Sequence, residues 1–234
     1  VVTPICDAIL RPAPKGNALM RLRLLSYFLL LITVLASGKQ EKKEPDAVNI
    51  SGNTMEAPYF KLHYTFPQGW SAENDDARKE KNRQSHERAV KLAEAMHAQT
   101  INSGATSTTY FSNYELFMGK REPVPADGNS SEPFILIRAS ERSGGLMNDA
   151  GDTAKFIGRT PPAKLVEGPK EQKLSGHRFM RSLLVFFPQE ANEQFEVMYE
   201  SVSGNYFLLF EFHAATQKEA NELAQSMESV KFDK

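Results

Sequence analysis

The stretch YFKLHYTFPQGW alternates Phe60, Leu62, Tyr64 and Phe66 with Lys61, His63 and Thr65. A period of two predicts a half-buried strand. Pro67 and Gly69 stop it with a turn, and Trp70 packs just beyond. The pattern then changes. Glu73 to Thr100 reads as a long helix, with Glu73, Asp75 and Asp76 placing negative charge at its N-terminus. Only its second half carries an apolar stripe, Ala89, Leu92, Ala93 and Met96. Its first half is polar on every side, which predicts a protruding segment.

Two strands are predicted next, TYFSNYELFMGK and, more strongly, PFILIRAS (Pro133 to Ser140). A short helix is placed near Asn148 to Ile157, stopped by Pro161 and Pro162. The last third predicts four strands with turns at Gly168-Pro169, at Pro188 to Asn192 and at Ser203-Gly204-Asn205. Short turns mean antiparallel pairing. In the last strand Tyr206, Leu208, Phe210 and Phe212 point one way and Phe207 and Leu209 the other. A sheet apolar on both sides needs cover on both sides. The final helix supplies one cover, opening on a capping box of Thr216 and Glu219 and showing a stripe of Ala220, Leu223, Ala224 and Met227. The long helix before residue 100 is the natural cover for the other face. ESVKF re-enters a sheet edge or closes the core. The expected fold class is α+β: an antiparallel sheet covered by helices on both faces.

The opening strand ending in FPQGW, the run of strands ending in GNYFLLFEFHA, and the terminal helix and strand ATQKEANELAQSMESVKF resemble the PsbP-like superfamily over roughly residues 58–233. That superfamily includes the photosystem II PsbP subunit and Mog-type and DcrB-type proteins. The resemblance implies an α/β/α sandwich that acts as a binding or accessory module. The long polar helix after Trp70 departs from the family pattern. No metal-ligand residue of the photosynthetic subunit is matched here.

Upstream, the pattern is of another kind. In MRLRLLSYFLLLITVLASGKQ, Arg21 and Arg23 precede an apolar run from Leu24 to Ala36, then small residues, then Lys39 to Glu44. Basic, apolar, small, polar is the order of a secretory signal peptide. The run falls short of the ~20 residues a spanning helix needs. A cleaved signal over 20–38 is the first reading, and an uncleaved anchor the alternative. Residues 1–19 read as a disordered extension before a start at Met20, or as an extended n-region. Residues 39–57 read as a flexible tether and 58–234 as a single α+β domain. The expected location is extracytoplasmic, periplasmic or secreted.

Composition narrows the function. Four of the 28 basic and one of the 29 acidic residues precede Lys39, leaving 24 against 28, a formal charge of −4. A mildly acidic domain without a basic cluster is a poor binder of nucleic acid or anionic membrane. The only cysteine, Cys6, lies upstream of the signal, so the mature chain has no disulfide and no thiol chemistry. Gly38 stands where an acylated cysteine would end a lipoprotein signal.

Candidate chemistry is sparse. His86 and His97 are about 16 Å apart along one helix, too far for one metal. HERAV lacks the second histidine of a zinc-protease motif. SGGLMNDAGD fits neither a phosphate loop nor a calcium loop and reads as mobile. Arg178 and Arg181 fall on opposite faces of their strand. What remains is one constellation. Glu211 and His213 share a face of the last strand, and Glu196 and Glu200 share a face of the one before. Where those faces meet they form a carboxylate–imidazole group able to bind a ligand or act as acid and base. The plainer alternative is a hydrated sheet rim. No catalytic residue, metal or cofactor is assigned. The partner is an unknown protein or small molecule of the envelope, with membrane contact only if the signal is uncleaved. The expected function is that of an exported, non-enzymatic binding or accessory protein. A hydrolase using Glu196, Glu211 and His213, or a tethered envelope protein, is the alternative.

Overall fold

Aromatic and branched residues alternating with polar ones build two antiparallel sheets in a computed structural model. It describes residues 44–103, 112–121, 132–142, 147–188 and 192–233, with backbone alone for 95–103. The first sheet has four strands in the order β1 (Asn49–Ser51), β2 (Thr54–Ala57), β3 (Leu62–Thr65) and β11 (Lys231–Phe232). The second has seven, in the order β4 (Trp70–Ala72), β5 (Asn113–Arg121), β6 (Phe134–Glu141), β10 (Tyr206–Ala214), β9 (Gln194–Ser203), β8 (His177–Phe186) and β7 (Ala163–Leu174). Among the described residues the helices are α1 (Asp75–Ser103), α2 (Asp152–Ile157) and α3 (Gln217–Ala224), the last continuing as a 3-10 turn over Gln225–Ser229.

One face of the large sheet carries Ile135, Ile137, Phe179, Leu183, Leu208, Phe210 and Phe212, packed against α3 and the small sheet. The terminal helix forms as its sequence predicts. Thr216 accepts the Glu219 N–H at 3.2 Å, and Ala220, Leu223, Ala224 and Met227 are buried. The opposite face carries Leu184, Met198, Phe207 and Leu209 under Ala154 and Ile157 of α2.

Several expectations are corrected. The segment 39–57 is not wholly a tether. Val48 packs on the core, and β1 and β2 pair in register with Met55 and Ala57 fully buried. Residues 1–38, with the expected signal, lie outside the described residues. Gly168-Pro169 is not a turn. The register of β7 on β8 shifts between Glu167 and Lys170, a bulge on an edge strand where proline is tolerated. The hairpin turn is Ser175-Gly176, with φ of 50° and 80°. The strand at Leu62–Thr65 joins β2 and β11 in the small sheet, not the main one.

The long helix does not cover the second face. It docks by its polar first half against β5. Arg78, 1% exposed, donates to the carbonyls of Asp46 (2.8 Å) and Glu115 (3.0 Å) and pairs with Asp75. Asn82 donates to the Glu115 carbonyl at 3.0 Å and accepts the Glu115 N–H at 2.7 Å. At this end of β5 the short β4 no longer runs alongside, and the helix takes the place of a strand. An open edge needs hydrogen bonds, not apolar cover. In the second half of the helix Val90 and Leu92 are exposed. Among the described residues no helix is long and apolar enough to cross a membrane.

Candidate functional site

The register of β9 on β10 sets His213 opposite Glu196, Leu209 opposite Glu200 and Glu211 opposite Met198. The two carboxylate-bearing faces therefore meet, as the sequence requires for a joint site. They do not form a hydrated rim. Glu196, Glu200 and Glu211 are 2%, 0% and 3% exposed. They lie on inner strands, on the face where Ala154 of α2 packs with Leu184, Met198, Phe207 and Leu209. β6 adds Arg138, opposite Leu209, to the same face.

The group divides in two. Glu200 serves the helix. Its carboxylate accepts the Gly151 N–H at 2.7 Å and the Thr153 hydroxyl at 2.7 Å, at the N-terminus of α2. A carboxylate there satisfies donors the helix leaves open. Gly151 has φ of 92°, and a Cβ on it would meet Pro169 at 2.8 Å, so the cap requires glycine. Burial pushes Glu200 up to about 7, against the pull of its bonds from Thr153 and Gly151. The SGGLMNDAGD segment, read as mobile, is an ordered cap over its described part. Asp152 accepts the N–H groups of Asn148 and Asp149 at 3.2 and 3.1 Å.

The second part is an ion pair beside a neutral one. Arg138 donates to and pairs with Glu211. His213 Nε2 lies 3.5 Å from Glu196 Oε2, and its ring stacks on Phe134 with centroids 4.0 Å apart and planes at 15°. Burial, and then the positive charge of Arg138, hold His213 down at about 3. Burial and the neighbouring Glu211 raise Glu196 well above the usual range, with Arg138 opposing. Burial also raises Glu211, and Arg138 offsets it. Arg138 thus favours the charged form of Glu211, while burial and Glu211 work against the charge on Glu196 and burial keeps the His213 imidazole neutral. Glu196 Oε1, Arg138 Nε and Ser182 Oγ are buried without a hydrogen-bond partner among the described residues.

Sequence reasoning missed Arg138, Gly151 and Thr153. Arg138 left a trace: it is the one charge inside the apolar run PFILIRAS. The remaining singled-out residues lie apart. Arg178 pairs with Glu171 (2.9 Å) and Asp149 (3.2 Å), whereas Arg181 pairs with Glu167 (3.1 Å) and Asn221 (2.5 Å), on opposite faces as expected. His63 pairs with Asp233 at 3.0 Å and Glu56 at 3.4 Å in the small sheet. His86 contacts Ser112 at 3.3 Å, and the His97 side chain lies outside the described residues. Among the described residues no three of His, Cys, Asp and Glu are grouped as a metal ion requires.

No family model and no curated protein matches the chain. Among solved structures it is similar to the solution structure of cyanobacterial PsbP (CyanoP) from Synechocystis sp. PCC 6803, with a TM-score of 0.45 at 8% sequence identity. The match covers 85% of this chain and 99% of that chain. The likeness concerns the arrangement of elements alone.

Proposed function

We propose that this chain is an exported, non-enzymatic binding or accessory protein of the bacterial cell envelope. The observation that carries this reading is the inward commitment of its charged groups. Glu200 caps a helix, Glu211 neutralises Arg138, and Glu196 faces His213 inside the sandwich. A general base or nucleophile needs a substrate within hydrogen-bond reach. Glu196 and Glu211, at 2% and 3% exposure, offer no face to one. Export rests on the basic, apolar, small, polar order over 20–38.

A hydrolase is the second reading, favoured only by the 3.5 Å approach of His213 to Glu196. Cell fractionation with intact-mass measurement, followed by affinity capture from the envelope fraction, tests the first reading. The expected result is a chain beginning after Ala36 or Gly38, recovered with a partner in fixed ratio. An intact N-terminus in the membrane fraction supports a tether instead. Turnover on ester, amide or glycoside substrates that vanishes in both E196Q and H213A would establish the hydrolase.

A further inference from the structure

The three edges of the two sheets that carry long or apolar strands are not protected alike. At β7 the edge is blunted by Lys164, Glu167, Lys170, Glu171 and Lys173, by Pro169 and by a bulge. Charge, proline and bulges are how proteins keep an edge from pairing. β1, at the end of the small sheet, is Asn-Ile-Ser, and β4, at the end of the large sheet, is Trp-Ser-Ala. Neither carries a charge or a proline. Among the described residues nothing pairs with the outer side of either strand.

These two bare edges border one groove of about 610 Å³, with Ile50 on one bank, Trp70 and Ala72 on the other, and Glu73 and Asp75 at its end. Ile50 is 37% exposed. The main-chain groups point into it. The Glu73 N–H donates to Met118 at 2.8 Å, so alternation along β4 turns the N–H and C=O of Trp70 and Ala72 away from β5. In β1 the pair flanking the Gly52-Asn53 turn is Ser51 with Thr54, which turns the same groups of Ile50 outward. Among the described residues the only charges lining the groove are the two carboxylates. Lys81 holds Glu73, and Arg78 and Lys79 hold Asp75, from outside the lining.

We propose that this groove receives an extended segment of a partner protein as an added strand. Its main chain pairs with β4, and its apolar side chains alternate against Ile50 and Trp70. Strand addition takes its affinity from main-chain bonds and its selectivity from alternate side chains. The inference rests on the binding-module reading and gives that module its surface.

The test is selection of a random heptapeptide phage library on the full chain, then titration of a selected synthetic peptide. Trp70, the only tryptophan, reports occupancy by fluorescence. The expected pool alternates apolar with polar residues. Ala72→Pro removes an outward donor without touching the β4–β5 bonds and is expected to weaken binding at least about tenfold. Ile50→Lys is the second variant, for use if the proline perturbs folding. With the wild-type chain, bound peptide is expected to slow amide exchange at Trp70 and Ala72. No enriched pool, or binding indifferent to both variants, overturns the proposal. So does a dimer that Ala72→Pro dissolves, since the groove then takes a second copy. If an envelope partner is still captured in fixed ratio by the Ala72→Pro chain, the groove is wrong and the binding-module reading stands.

Discussion

The carboxylate of Glu200 on β9 accepts the main-chain N–H of Gly151 at 2.7 Å, across 49 residues of chain. That bond, with the one from Thr153, fastens a six-residue helix to the sheet. A helix so short has little stability of its own. The two bonds to Glu200 therefore add to the Arg178–Asp149 pair and the packing of Ala154 in holding α2 on the sheet.

Replacing Glu200 with alanine leaves the buried Gly151 N–H open, takes an acceptor from the part-buried Thr153 hydroxyl and leaves a cavity beneath α2. The expected loss is about 2–4 kcal/mol in urea unfolding. Thr153→Ala removes one bond and should cost about 1 kcal/mol. Because both act on one bond, the double variant should lose less than the sum.

The same residue makes stability depend on pH. Burial raises Glu200 from the ordinary 4.5 to about 7. The folded protein holds this proton more tightly than the unfolded chain does. Its contribution is fully present below pH 4.5 and is lost as pH rises through about 7. Glutamine imitates the protonated form. The stability of E200Q relative to wild type should therefore rise between pH 5 and 8, by an amount on the order of 2–3 kcal/mol. The difference between the two proteins is the quantity to measure. His213, held down at about 3, contributes stability that is lost as pH falls below its ordinary 6.5, and it is common to both. Glu115 is raised to about 7, by burial and then by Glu73, and is likewise common to both. A pH-independent difference would show that Glu200 stays ionised in the fold.

How much was legible in the sequence follows from the kind of force at each place. Apolar burial has a period. The alternation of Phe60 to Phe66 and of Tyr206 to Phe212, and the stripe from Ala220 to Met227, each lie buried where the pattern puts them. Hydrogen-bonded docking has no period. Arg78 and Asn82 gave no stripe, because they serve main-chain groups of β5 rather than an apolar surface. The candidate site was half legible for the same reason. Strand alternation put Glu196 and Glu200 on one face and Glu211 and His213 on the face that meets it. Their depth depended on Arg138, 73 residues from Glu211, and on a helix cap formed only in the folded chain.

This contrast between periodic and polar docking can be measured on α1. Arg78→Ala removes a buried guanidinium from the Asp46 and Glu115 carbonyls and from Asp75, and should cost about 3 kcal/mol or more. Amide exchange along the first turns of α1 should rise with it. Leu92→Ala, in the stripe that reads as a docking face, should change stability by less than about 0.5 kcal/mol, since Leu92 is 50% exposed. The reverse ranking would mean that the helix docks by its apolar stripe.

The Arg138–Glu211 pair separates a structural charge from a useful one. Removing Arg138 strands Glu211 in a buried setting, whereas removing Glu211 leaves Arg138 31% exposed. Arg138→Met alone should therefore cost about 3–5 kcal/mol in urea unfolding, and Glu211→Leu less. Removing both replaces the pair with apolar side chains on a face that already carries Met198 and Leu209. The double variant should then recover most of the loss. Glu196→Gln belongs in the same series. Burial and Glu211 already favour its uncharged form, so the amide should cost no more than about 1 kcal/mol. A double variant no more stable than the worse single one would show that the pair holds something beyond its own charge. A large loss in E196Q would place the negative charge on Glu196 instead, with Arg138 shared between the two carboxylates.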